Sequence, residues 1–231
     1  MTDLARRSSP ELLDKQALLV VPLGATEQHG PHLPLGVDTA IAQALARELA
    51  GRVADIIVGP SVPYGASGEH QDFAGTISIG QSALETLLVE LGRSASATFP
   101  RLLFLSAHGG NAKPLARAVR RLRSEGRDVR AWSPALCWRG DAHAGRVETS
   151  VMLALSPADV KLTAAAKGDT RPLAEILPEL RARGVASVSR NGVLGDPSGA
   201  NKAEGVDLLT AAADALALAV AAWPDHDGAW L

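Results

Sequence analysis

One cysteine, Cys137, stands among 231 residues. No intrachain disulfide framework is therefore available, and the chain suits a reducing compartment. Aromatic residues make up 3% of the sequence, so a core has to be assembled mainly from Ala, Leu and Val. Neither sign of charge is in excess: the formal net charge is −2. That balance implies no broad basic surface and argues against nucleic acid or an anionic membrane as the main partner. No apolar run is long enough to span a bilayer, and the most apolar tract, residues 207–223, is interrupted by Asp214. Residues 1–16, MTDLARRSSPELLDKQ, lack the apolar stretch of a signal peptide. The expected location is the cytoplasm. Internal repeats, low-complexity segments and linker-like stretches are also missing, and a chain of this length buries one core without staples. A single domain over residues 1–231 is expected.

What is present is an alternation. Ala17–Leu23 (ALLVVPL), Asp55–Val58 and Leu102–Ser106 read as buried strands, being short, branched and bounded by Gly, Pro or polar residues. Between them, Thr39–Ala50 has apolar residues at helical spacing with a cap expected at Asp38 or Thr39. Ser82–Ala97 opens on Ser82-x-x-Glu85, a capping-box pattern, and Pro114 suits the first turn of a helix over 113–124. The dense basic stretch Arg117–Arg130 reads as the wet face of a helix. Further on, Val147–Leu155, Pro172–Arg183 (with Pro178 expected to kink or end it) and Glu204–Ala222 read as helices, and Asn191–Ala200 as a turn-rich loop. Strands alternating with helices predict an α/β fold, a mainly parallel sheet covered on both faces.

The unusual polar residues collect in loops that follow predicted strands, where open α/β sheets place ligands. Gly24–Asp38 reads GATEQHGPHLPLGVD. Glu27 and His29, two apart, share a face if the backbone is extended, and Asp38 returns at the mouth of the next helix. His108 lies just past a strand, beside glycines. Two carboxylates and two imidazoles suit a borderline divalent cation, Zn²⁺, Mn²⁺ or Fe²⁺. An Asp able to bridge two ions would allow a binuclear site. For any one of these residues a cap or a loop hydrogen bond is the commoner use. Three polar groups in one loop, plus a histidine at a second strand end, shift the balance to a metal site.

Four ordered motifs then carry a resemblance: Glu27-x-His29 with Asp38; Gly65-x-Ser67-x-Glu69-His70-x-x-Phe73-x-Gly75-Thr76; His108-Gly-Gly-Asn111; and Glu148-Thr149-Ser150. Together, over about Leu18 to Gly205 and including the Gly195-Asp196-Pro197 loop, they resemble the creatininase (creatinine amidohydrolase) family. The resemblance implies a three-layer α/β sandwich, a homo-oligomer (commonly a hexamer) and two divalent metal ions per subunit. Glu27 and His108 would hold one ion and His29 the other, with Asp38 bridging. Creatininase itself carries a metal-binding Glu where this chain has Gly110; Glu148 is the expected substitute. His143, five residues before Glu148, is implied as the catalytic acid–base near the scissile amide, and Glu148 shares that catalytic role. The compact length and the segment Gly140–Ser150 resemble a branch that cleaves a short modified peptide, releasing a C-terminal piece made from Val and Tyr. A small-molecule amidase of the same family and a non-catalytic metal-binding protein are the alternatives.

Weaker readings attach to other residues. His32 is expected to be structural or to support a ligand, and Glu69 and His70 either to border the site, from this or a neighbouring subunit, or to be structural. Trp132 and Trp138 would either wall a pocket or pack, and Asn111 would either face an oxyanion or stabilise its own turn. Nothing marks Cys137 as an activated nucleophile, and His226 reads as exposed and inert.

Overall fold

A computed structural model describes residues 2–13, 15–138, 140–223 and 228–231. Four strands, β1 (Leu18–Leu23), β2 (Ile56–Val58), β3 (Arg101–Ser106) and β4 (Asp128–Trp132), form one parallel sheet in the order β2-β1-β3-β4. Leu18 pairs with Ile56 on one side and Arg101 on the other, and Arg101 pairs with Asp128. Single parallel bridges extend both edges, Asp3 beside Val58 and Trp230 beside Ala131. Among the described residues the α-helices are α1 (Val37–Arg52), α2 (Gly80–Ala95), α3 (Ala112–Ser124), α4 (Arg146–Leu155), α5 (Leu173–Arg183) and α6 (Lys202–Ala221).

The period of two along a strand sorts side chains into two cores. Leu18, Val20, Leu103 and Leu105 face α1, α4 and α6, packing with Ile41, Leu45, Val151 and Leu216. Leu19, Val21, Leu102 and Phe104 face α2 and α3, packing with Leu84, Leu88, Leu115 and Val119. The result is the expected helix–sheet–helix sandwich. Smaller Ile176, Leu180, Val185 and Leu194 form a separate cluster under α5.

Several local expectations are corrected. Strand β4, DVRAW, has no apolar run, so the pattern of short branched runs does not predict it. Its Arg130 is buried rather than wet: it pairs with Asp128 at 3.1 Å and lies 5.4 Å over the Trp223 ring. Helix α2 begins at Gly80, so Ser82 lies inside it and no capping box forms; Glu85 pairs with Arg117 of α3 instead. Helix α1 begins at Val37 with Gly36 as its N-cap, so Asp38 does not cap it. Pro178 neither ends nor breaks α5, which runs on to Arg183. Helix α6 packs along α1 and α4. Among the described residues no helix is long and apolar enough to cross a membrane.

With β1 and β3 adjacent, the chain leaves β1 towards one edge of the sheet and β3 towards the other. Their carboxyl ends therefore bound the switch point where α/β sheets open a crevice.

Candidate metal centre

The loop after β1 brings Glu27 and His29 into that crevice, and the loop after β3 brings His108. Asp38 enters from the first turn of α1 and Glu148 from the first turn of α4. Glu27 and His29 are fully buried, and Asp38 and His108 nearly so. His108 Nδ1 lies 3.2 Å from Glu27 Oε1 and 3.5 Å from Asp38 Oδ2. The other Asp38 oxygen lies 3.4 Å from His29 Nε2, which is 4.0 Å from Glu148 Oε2. Two donor groups result, Glu27–Asp38–His108 and His29–Asp38–Glu148, each with ligand atoms within 4.8 Å of one another. Asp38 belongs to both, with one oxygen turned to each histidine.

The imidazoles are oriented by backbone carbonyls. A carbonyl only accepts, so the ring nitrogen facing it carries the hydrogen and the other nitrogen keeps its lone pair. His29 turns Nδ1 to Glu27 O at 3.1 Å and Nε2 to the cluster. His108 turns Nε2 to Ala66 O at 3.2 Å and Nδ1 to the cluster. Distal hydrogen bonds of this kind accompany metal-ligating histidines.

Whether a cation fits is answered by atoms left over. Both carboxylate oxygens of Glu27, Oδ2 of Asp38 and Nε2 of His29 are buried without a hydrogen-bond partner. Groups so placed cost stability unless something pairs with them. The field points the same way. Burial pulls His29 down, but the Asp38 carboxylate, then Glu148 and Glu27, lift it to about 9. Burial likewise opposes charge on His108, yet Glu27, Asp38 and Glu69 raise it to about 10. Burial pushes the Glu27 carboxyl up, and the facing His108 outweighs it and holds the group well below the usual carboxylate range. Both imidazole positions thus select positive charge. A divalent ion supplies that charge while using the lone pairs, so the residues fit the group.

His143 joins the cluster from the loop before α4. Its Nε2 faces Gln28 O at 2.7 Å, leaving Nδ1 3.9 Å from Glu27 Oε1. Its ring centroid is 4.2 Å from that of His29, and Glu27, His29 and His143 form a third potential donor group. Burial, then His29, lowers its pKa, so it stays neutral. Ala144 next to it has φ of 53°, and its N–H is held by Glu148 Oε2 at 2.5 Å. Glu148 thereby fixes the backbone that aims His143.

Gly110 explains the departure from the creatininase pattern. A Cβ there would lie 2.3 Å from Ala66 O, 2.4 Å from His108 Nε2 and 2.7 Å from Glu69 Oε1. The 65–69 loop occupies the space a side chain would need. Glu69 and His70 both line the cavity, and they reach it from their own chain. His70 lies deeper than the sequence implied, with Nε2 3.5 Å from Glu27 Oε1, and burial drops its pKa to about 3. His32 donates or accepts at Thr149 Oγ1, 2.9 Å away, supporting α4. The Asn111 side chain is consumed by Ala66 N, Gly24 O and Ser106 Oγ, so it ties the loops after β1 and around residue 66 to the end of β3 rather than stabilising its own turn. Trp132 is packed in the core, and the Trp138 indole donates to Leu208 O at 3.2 Å; neither lines the cavity. Burial raises the Cys137 thiol, opposite to activation. His226 lies outside the described residues.

The cavity measures about 780 Å³. Glu27, Glu69, His70, His108 and His143 line one part, and Leu173, Leu177 and Leu180 of α5, with Val185 and Leu194, line another.

Comparison with known proteins shows the family. The profile of the family described as creatinine amidohydrolase matches residues 3–220. A mycofactocin precursor peptide peptidase of Mycobacterium tuberculosis is 50% identical over 236 residues, covering 98% of this chain and 94% of that protein. Its counterpart from Mycolicibacterium smegmatis is 48% identical over 231 residues, covering 97% and 93%. A manganese form of creatininase superposes with a TM-score of 0.79 at 25% identity, covering 95% of this chain and 97% of that one. By profile, fold and relatives alike, the chain belongs to the creatininase family.

Proposed function

We propose that this chain is a metal-dependent peptide-bond hydrolase that releases the modified C-terminal fragment, made from Val and Tyr, from the mycofactocin precursor peptide. The observation that carries the hydrolase reading is the pair of donor groups sharing Asp38, with unpartnered buried atoms, which reaches a large cavity through Glu27 and His108. The relatives named as peptidases, matched over nearly the whole chain, support the substrate. The cavity volume falls within the roughly 300–1,000 Å³ that accommodates ligands much larger than one small ring, which favours a peptide over creatinine.

Glu27, Asp38 and His108 would hold one divalent ion, and His29, Asp38 and Glu148 a second. A bound pair of ions supplies Lewis acidity and lowers the pKa of water. The chain's own groups do the rest. His143, neutral and with its Nδ1 lone pair towards the cluster, takes a proton from the attacking water and returns it to the leaving nitrogen as the C–N bond breaks. Glu148 braces the Ala144 backbone behind it. The apolar α5 wall receives the non-polar part of the peptide and limits water. Fe²⁺ and Zn²⁺ suit this mixed O/N donor set, as does Mn²⁺. A cytoplasmic setting and a homo-oligomer, taken as a hexamer, belong to the same proposal; light scattering checks the latter.

The experiment is metal content beside turnover, before and after chelation and readdition of Fe²⁺, Zn²⁺ or Mn²⁺. Release of the C-terminal fragment is followed, with creatinine and formamides in parallel. Cleavage of the peptide restored by metal is expected. Turnover of creatinine alone would overturn the substrate, and stoichiometric metal without turnover of any amide would overturn the hydrolase.

A further inference from the structure

Three histidines of the site obey one rule: His29, His108 and His143 each turn one nitrogen to a backbone carbonyl and the other to the cluster. His70 breaks it. Its Nδ1 faces the side-chain nitrogen of Gln28 at 2.8 Å, a group that can only donate. The amide cannot be turned round, because Gly30 N–H donates to Gln28 Oε1 at 2.8 Å and the nitrogen also reaches Gly192 O at 3.0 Å. Its two hydrogens are thus spent on His70 Nδ1 and Gly192 O. None is left for His143 Nε2, 3.1 Å away, which agrees with that nitrogen carrying its own hydrogen to Gln28 O.

We infer that Gln28 is a positioning residue that gives the two neighbouring histidines opposite roles. Through its backbone carbonyl it keeps the His143 lone pair on the cluster side. Through its side chain it forces the hydrogen of His70 onto Nε2, 3.5 Å from Glu27 Oε1. His70 is thereby barred from ligating and holds an N–H towards the Glu27 carboxylate. The two rings stand only 4.5 Å apart, so without Gln28 nothing separates donor from base. Gly192 completes the device. Its φ is +79°, and a Cβ there would fall 1.9 Å from Gln28 Oε1, so a side chain at 192 would evict the amide.

The inference rests on the proposed metal site, and only its kinetic arm uses the proposed substrate. The test is therefore long-range ¹H–¹⁵N correlation on histidine-labelled, zinc-loaded protein, which reads each tautomer without peptide. His70 should carry hydrogen on Nε2 with Nδ1 bare, and His143 should also carry it on Nε2. In Gln28→Glu the carboxylate accepts, so His70 should switch to Nδ1–H. For peptide cleavage kcat should then fall about 10- to 100-fold, the usual cost of losing a group that orients metal-site side chains, with KM and zinc content held. His70→Gln, which restores an N–H near the ε position, should retain more activity than His70→Asn. A wild-type His70 with hydrogen on Nδ1 overturns the inference, as does an unchanged tautomer or an unchanged kcat in Gln28→Glu. If Gln28→Glu does not fold, the wild-type tautomers alone decide. Failure to bind zinc at all would instead overturn the metal site.

Discussion

Loading divalent metal onto this cluster at pH 7 has to displace protons. The fields of Asp38 and Glu27 lift His29 to about 9 and His108 to about 10, so in the metal-free protein both imidazoles are almost wholly charged at neutral pH. Metal needs their lone pairs, and each pH unit between ambient pH and the pKa weakens apparent binding about tenfold per proton displaced. One histidine sits in each of the two donor groups that share Asp38, so about one proton should leave per ion. The product of the two association constants should then rise roughly 100-fold per pH unit between pH 7 and 9. Calorimetry at pH 7 in buffers of different ionisation enthalpy measures this directly. Observed heat plotted against buffer enthalpy should have a slope near one proton per ion. The same shifts act on folding. Because the folded pKa values lie above the unfolded 6.5, their stabilisation is complete below about pH 6.5 and is lost as pH rises through 9 to 10. The metal-free melting temperature should accordingly fall over that window. A zero slope with a flat melting profile would refute the reasoning, since it would mean neutral imidazoles beside buried carboxylates.

Three further outcomes follow from the same geometry. Glu148→Gln should lose one of the two ions by elemental analysis, because it removes the second carboxylate of the His29 group; retention of both would exclude Glu148 as a ligand. His143→Ala should keep its metal and lower kcat about 10²–10⁴-fold, with unchanged turnover removing it from the chemistry. Gly110→Glu should not restore a creatininase-type ligand. Its Cβ would meet the Ala66 carbonyl, so unfolding should be easier by about 1–3 kcal/mol in a denaturant melt, and a stable variant with added metal affinity would contradict this packing.

Relatively little of the fold escaped the sequence, and what escaped did so for a physical reason. Strands β1 and β3 are legible because both faces of a central parallel strand are buried, which forces a continuous apolar run. Strand β4 is buried from Val129 to Trp132, but its Arg130 is accommodated by Asp128 and the Trp223 ring, so the strand has no apolar run and looks like the tail of a basic helix. A capping box is a local pattern and puts the start of α2 at Ser82, whereas the real start is set by where Gly80 turns the chain. Pro178 predicts a kink or an end, yet burial of Ile176 and Leu180 on either side of it holds the helix through to Arg183.

The site divides along the same line. Glu27, His29 and Asp38 lie in one loop and His108 directly follows a strand, so short-range spacing was enough to single them out. His70, Gln28, His143 and Gly192 are far apart along the chain, and each taken alone is an ordinary loop residue. Only the parallel pairing of β1 with β3, and the return of the 65–70 and 191–194 loops over the crevice, brings them within hydrogen-bond reach. Residue type and local spacing decided which chemistry was available to this protein. The tertiary structure decided which nitrogen of each histidine faces the cluster, because that depends on which carbonyl or amide the fold delivers to the ring's other side.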